Sequence, residues 1–299
     1  MKRKKNKYWT LYIFLIPTII YIVVFCYVPM YGILMAFSNY MPKKGYLGSL
    51  IENGVGLKHF IRFIKYPGAW DMIKNTLSIS LYSLATFPLG IILALAINEL
   101  QNLRFKKVVQ MVTYAPYFLS TVVMCGMIRM FCDKEGVIGL LYQFITGESV
   151  NLLTVPQYFN DIYVWSGVWQ GIGWSTIIYI AALSGVPGEL AEAAKIDGAT
   201  RLQVIRHVNI PYISSTIVIT FIMSAGGILG VGFDKILLLQ NDLNASAATV
   251  ISTYTYDIGI IGGQASYATA IGLFNNVINI LMLLLVNKIC KKISGVGIW

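Results

Sequence analysis

Polar and apolar positions alternate along this chain on a scale too long for strands or ordinary surface helices. Counting only Asp, Glu, Lys and Arg, six stretches hold none of them: residues 8–42, 75–98, 108–128, 162–188, 207–233 and 258–287. Each exceeds twenty residues, and about 20 mostly apolar residues carry a helix across about 30 Å of hydrocarbon. The pattern predicts six membrane-spanning helices and little chain left over for a soluble domain. Composition agrees: 57% of residues are hydrophobic, 12% are charged and the mean hydropathy is +0.67, whereas soluble domains carry about a quarter charged residues. The expected class is an all-α integral membrane protein.

The first apolar run starts near Tyr8 and continues through Phe25, Tyr27 and Tyr31. Bulky residues stand where a signal peptidase would need small ones, so this reads as an uncleaved helix over about 10–35. Lys and Arg set the orientation. With the N-terminus inside, 14 of the 23 basic residues are internal, including Lys2, Arg3, Lys4, Lys5 and Lys7 directly before the first span. Both termini are therefore expected in the cytoplasm, with outer connections at about 36–74, 132–160 and 234–264. The first of these contains Gly56–Ile64, an amphipathic stretch expected to lie along the outer surface with Phe60, Phe63 and Ile64 towards lipid or protein.

A net charge of +10 first suggests nucleic acid, but these cations flank apolar spans, so membrane lipid is the expected partner and nucleic acid is not. Cys26, Cys125, Cys132 and Cys290 form no CxxC pair, and His59 and His207 stand far apart. Neither a disulfide framework nor a metal site is expected. No GxxxxGK[ST] occurs, so any nucleotide must be bound elsewhere than through a P-loop of this chain.

One inner loop stands out, residues 186–211. Glu189 to Ile196 consists of good helix formers, and Asp197-Gly198 ends them, since Gly accepts the left-handed conformation that terminates helices. Thr200 with Gln203 matches a capping box that starts a second helix at Arg201. Pro211 is expected to break that helix and open the next span. A bent pair with small alanines and a few charges suits contact with another protein, but equally suits a connector packed on its own bundle.

Glu192-Ala193-Ala194, three residues, Gly198, nine residues, then Val208-Asn209-Ile210-Pro211 resembles the EAA loop of bacterial ABC importer permeases. Val208 and Ile210 replace that pattern's usual Ile and Leu. The Asp197-Gly198-Ala199 triplet, Gly232–Ile236, Val250–Tyr256, Ser266–Phe274 and the ending Gly297-Ile298-Trp299 are similar to the oligosaccharide permeases of the LplB type. The resemblance implies a type I importer permease with six transmembrane helices. It would divide into a basic cytoplasmic N-terminus at 1–9, a permease domain at 10–287 and a cytoplasmic tail at 288–299. It implies a non-catalytic subunit of the bacterial plasma membrane with no cofactor of its own. ATP and Mg would be bound by two partner ATPases; a second homologous permease and an extracellular sugar-binding lipoprotein would complete the assembly. Glu192, Ala193, Ala194, Asp197, Gly198 and Pro211 would contact the ATPase.

A sugar pathway needs hydroxyl-matching polar groups and aromatic faces within otherwise apolar helices. Trp169 and Gln170 in the fourth stretch, Tyr117 in the third, and Asn275 and Asn279 in the sixth are the candidates. The same residue types also form interfacial belts and join helices by hydrogen bonds. Gly226, Gly227, Gly230 and Gly232 fit either tight helix packing or local unwinding around a substrate. Anionic solutes would favour an Arg or Lys inside the pathway, and the spans offer none. Their charge-free interiors also argue against an ion-coupled transporter, and no His or metal cluster inside a span suggests an enzyme. A non-sugar solute remains open.

Overall fold

The computed structural model describes residues 9–298; the basic segment at 1–8 and the terminal Trp299 lie outside the described residues. Among the described residues, four helices are long and apolar enough to cross a membrane: Tyr12–Phe37, Ala69–Asn98, Arg201–Gly226 and Ala265–Ser294. Two bent pairs bring the number to six, Leu103–Phe118 with Thr121–Thr146 and Pro156–Leu183 with Gly188–Ile196. The six uncharged stretches each fall on one of these, so they are numbered here as the first to sixth spans. No strand forms among the described residues beyond an isolated bridge between Ser38 and Gly54.

The breaks between and within spans follow from side-chain chemistry. The third stretch is bent by 100° rather than straight. Pro116 lacks a backbone donor, the chain tightens over Ala115–Phe118, and Leu119 and Ser120 are extended. Ser120 then caps the next helix by accepting from the Val123 amide at 3.3 Å. Pro211 departs from the expectation above: it does not break the helix, which runs unbroken from Arg201 to Gly226. A proline ring clashes with the carbonyl four residues back. The backbone widens instead into a π-turn over Ile205–Asn209, in which the Ile210 amide donates to the Ile205 carbonyl. Pro29 in the first span is accommodated in the same way, by the π-turn Val23–Tyr27.

The described chain forms two units. One comprises residues up to Pro67 together with Thr255–Phe274; the other comprises Gly68–Tyr254 and the residues from Asn275 onward. In the first unit, the expected amphipathic stretch is a helix over Lys58–Ile64. Phe63 is buried against Phe274 and Phe60 packs on Phe37, while Ile64 is exposed. Its buried edge also includes His59, whose ring nitrogen lies 3.3 Å from the Ser38 carbonyl. Residues 12–35 of the first span bury nothing.

The second unit is organised around the fourth span. Near one end, Phe159, Tyr163 and Val164 pack with Met124, Cys125 and Ile128 of the third span and with Ile236 and Leu239. Towards the other, Tyr179 and Leu183 pack with Ala94 and Leu95 of the second span and Ile213 of the fifth. Between them Gly173 lets the fourth helix lie directly on the third, since a Cβ there would run into the Thr113 carbonyl group. That obstacle is backbone and has no rotamer to yield. The sixth helix continues past the expected boundary at 288 to Ser294, and the Ile298 amide folds back on Asn287 Oδ1 at 2.9 Å.

Gly173→Ala is expected to destabilise the protein by roughly 1–3 kcal/mol through overpacking. Gly171→Ala, on the same helix but facing open space, should leave stability unchanged. Thermal unfolding of the purified protein in detergent measures both; equal midpoints for the two variants would contradict the packing described.

Candidate coupling loop and translocation pathway

The loop 186–211 is built as two rigid pieces around a defined corner. Gly188–Ile196 is helical, with Glu189 in its first turn and Lys195 in its last, both favourable to the helix dipole. At its end the Gly198 amide donates to the Lys195 carbonyl at 3.0 Å and the Ala199 amide to the Ala194 carbonyl at 2.9 Å. This pair of bonds closes a Schellman motif on Gly198, whose φ is +82°. The next helix starts with the expected capping box: the Thr200 amide donates to Gln203 Oε1 at 2.7 Å, and the Gln203 amide to Thr200 Oγ1. The base of the loop is clasped by the Tyr212 hydroxyl, which donates to the Gly185 carbonyl at 2.6 Å.

No residue of Gly188–Ile196 is buried. Glu192, Ala193, Asp197, Gly198 and Pro211 are exposed and Ala194 is half-buried. Among the described residues Glu192 makes no ion pair. Ile196 is 86% and Leu202 73% exposed, a poor arrangement for a connector folded onto its own bundle.

A cavity of about 550 Å³ runs beside the fourth span, within the roughly 300–1,000 Å³ usual for small-molecule sites. The second span supplies Ser83 and Thr86 to its wall, the fourth Gln170, and the fifth Thr220 and Ser224. Of the five pathway candidates, Gln170 alone is among its lining residues. Its side-chain amide donates to the Leu119 carbonyl at 3.1 Å, satisfying a group freed by the break in the third span. Trp169, one residue away, faces a separate apolar pocket with Trp165 and Phe131. Tyr117 stacks flat on Trp174, ring centroids 4.4 Å apart and planes 2° from parallel.

Asn275 and Asn279 do something different. The fifth helix stops at Gly226, which packs tightly against Leu283, and the chain from Gly227 through Gly232 is unwound. Asn279 Oδ1 accepts the Leu229 amide at 2.9 Å, and the Asn275 amide donates to the Leu229 carbonyl at 3.4 Å. The two asparagines thus replace the helical partners that the unwound loop gave up. Gly232 is held in turn by its amide donating to the Tyr163 hydroxyl at 3.1 Å.

The six uncharged stretches supply no cation, as expected, but a lysine from outside them reaches this cavity. Lys235, one turn beyond the loop on the helix Phe233–Leu239, lines the cavity and is 9% exposed. Its Nζ donates to the Tyr163 carbonyl at 2.6 Å and lies 4.4 Å from the centre of the Tyr163 ring. Burial pulls its pKa down from 10.5 to about 8. The signal in the sequence was faint: a lone lysine two residues beyond the uncharged stretch 207–233, beside Ile236-Leu-Leu-Leu239.

Six apolar spans, a bare bent loop and a hydroxyl-lined cavity between helices are the features of a multi-pass membrane transport component. Residues 86–293 match the family described as binding-protein-dependent transport system inner membrane components, and the chain belongs to that family. It is 40% identical to the polygalacturonan/rhamnogalacturonan transport system permease protein YteP of Bacillus subtilis, covering 100% of this chain and 92% of that protein. It is 38% identical to Protein LplB of the same organism, covering 100% and 93%. Among solved structures it is similar to a chain of a bacterial ABC transporter involved in the import of the acidic polysaccharide alginate. The two share 36% identity over 97% of each chain, with a TM-score of 0.87. A chain from that transporter in complex with an alginate pentasaccharide-bound periplasmic protein matches with a TM-score of 0.88 over 98% of each.

Asn279→Leu leaves the Leu229 amide without its partner, at a cost of roughly 1–3 kcal/mol. Amide hydrogen exchange at residues 227–232 is expected to accelerate in this variant while that of the fourth span stays unchanged. Unaltered exchange in the loop would show that Asn279 does not anchor it.

Proposed function

We propose that this chain is one permease subunit of an ATP-driven importer of oligosaccharides, forming half of the translocation pathway in a bacterial plasma membrane. A second, homologous permease supplies the other half, two cytoplasmic ATPases bind ATP and Mg and hydrolyse the nucleotide, and an extracellular sugar-binding lipoprotein delivers cargo. Residues 1–9 and 288–299 lie on the cytoplasmic side, and 10–287 form the permease domain. The observation that carries this reading is the loop 186–211: stiffened at both sides of its corner, uncovered by its own bundle, and continuous with the fifth span.

Glu192, Ala193, Ala194, Asp197 and Gly198 seat in the ATPase, Ala193 and Ala194 permitting close approach and Glu192 meeting a cation. Pro211 tolerates continuity through its π-turn, so closure of the ATPase dimer moves the fifth helix directly. Gln170 and the surrounding hydroxyls border the pathway; Asn275 and Asn279 shape it by holding the Leu229 loop. Trp169 and the Tyr117–Trp174 stack present aromatic faces for sugar rings. The cargoes named for YteP and for the alginate transporter are saccharide polymers, which supports an oligosaccharide cargo here.

Co-purification with the ATPases and the second permease, followed by ATPase assays with sugar-loaded binding protein, tests the assembly. Gly198→Val forces a β-branched residue into left-handed backbone, a strain of at least about 1–2 kcal/mol. It is expected to leave membrane insertion intact while abolishing sugar-stimulated ATP hydrolysis and uptake. Normal uptake by this variant would refute the lever.

A further inference from the structure

The cavity beside the fourth span contains a positive charge and no counter-charge. Lys235 is nine-tenths buried at its wall. The ion pairs among the described residues are Lys44 with Glu52 and Lys134 with Glu135, and neither involves it. Its neighbour Asp234 is exposed. One ammonium hydrogen goes to the Tyr163 carbonyl, the aromatic ring shields a second side and the Cys125 thiol lies nearby, leaving donor capacity towards the cavity. Gly167 also lines that space, and a Cβ there would stand 3.2 Å from Nζ. The absent side chain keeps the approach to the ammonium open.

A buried, unpaired ammonium is costly, and ionisable groups kept within membrane proteins mark the path of what is carried. Hydroxyls and an amide alone would suffice for a neutral sugar. We infer that Lys235 receives a carboxylate of the cargo, so that the imported oligosaccharide is acidic, of the uronate class. This rests on the importer reading above and narrows its substrate. Lysine suits a passage better than arginine would: a single-point ammonium on a flexible stem attracts a carboxylate without the bidentate grip of a guanidinium. A transport site must bind well enough to admit its cargo and loosely enough to release it. With its pKa near 8, the group remains charged at neutral pH and gains from an arriving anion.

The test has two arms. In the first, the complete importer with its partner subunits and binding protein is reconstituted in liposomes, and ATP-driven uptake of trigalacturonate, its methyl ester and maltotriose is measured. In the second, equilibrium binding of the same three sugars to the permease–ATPase assembly in nanodiscs is compared for wild type, Lys235→Met and Lys235→Arg. Wild type is expected to bind trigalacturonate at least tenfold more tightly than the ester, with the preference shrinking as salt rises. Lys235→Met should remove the preference while keeping binding of the ester within twofold, and Lys235→Arg should retain it. Equal or tighter binding of a neutral sugar by wild type overturns the inference without any variant, as does a preference that survives in Lys235→Met. Absence of uptake for all three sugars would instead bring down the importer reading itself, and this inference with it.

Discussion

In a hydrocarbon environment every backbone amide and carbonyl must find a partner inside the protein, because no water is there to supply one. This requirement accounts for the placement of Gln170, Asn275, Asn279 and the Tyr163 hydroxyl. Where the third span breaks, Gln170 reaches across to the Leu119 carbonyl. Where the fifth helix ends at Gly226, Asn275 and Asn279 take both polar groups of Leu229, and the Tyr163 hydroxyl takes the Gly232 amide. Where Pro211 removes a donor, a π-turn shifts the bonding by one residue rather than leaving a gap. The unwound chain from Gly227 to Gly232 lines a cavity, and irregular backbone that lines a cavity is where a solute can be handled.

The same requirement gives the fifth helix its mechanical character. Because Pro211 does not break it, the segment from Arg201 to Gly226 is one rod of 26 residues, about 39 Å long at 1.5 Å per residue. Its N-terminal end is fixed by the capping box on Thr200 and the Tyr212 clasp. Its C-terminal end passes into the Leu229 loop, which is tied to the sixth span by the asparagines and to Tyr163 at Gly232. On the proposed reading, displacement at the loop 186–211 therefore reaches the cavity wall without crossing a flexible joint. A break at Pro211 would have absorbed part of that motion.

Long-range pattern and short-range capping were both legible in the chain. Uncharged runs located the spans because charge is expensive in hydrocarbon wherever it occurs. The Gly198 and Thr200 corner was readable because its bonds join residues within five positions of one another. What escaped reading depended on non-local packing. Proline usually ends a helix, and only the π-turn, which no residue type announces, overrides that at Pro211. Asn275 and Asn279 looked like lining groups, because a polar residue in a span looks the same whether it meets a solute or a carbonyl of another helix. Trp169 and Gln170 are adjacent in sequence yet face different pockets. Lys235 was counted outside the spans, since only the fold turns its helix back against the fourth span.

Taken alone, the chain carries an energetic deficit at each end of the rod. At the N-terminal end, Ile196 and Leu202 leave large apolar side chains uncovered, an arrangement that soluble surfaces concentrate where another protein docks. Near the C-terminal end, Lys235 keeps an ammonium away from water with a carbonyl, a ring and the Cys125 thiol as its described neighbours. Neither deficit helps the isolated fold, and substitution of polar residues at the first and an apolar residue at the second would relieve both. That the two sit at opposite ends of a continuous helix makes physical sense if each is offset by a different visitor, a protein on one side and a solute on the other. Relief at one end then changes the free energy available at the other through the rod they share, which is what coupling between two sites requires.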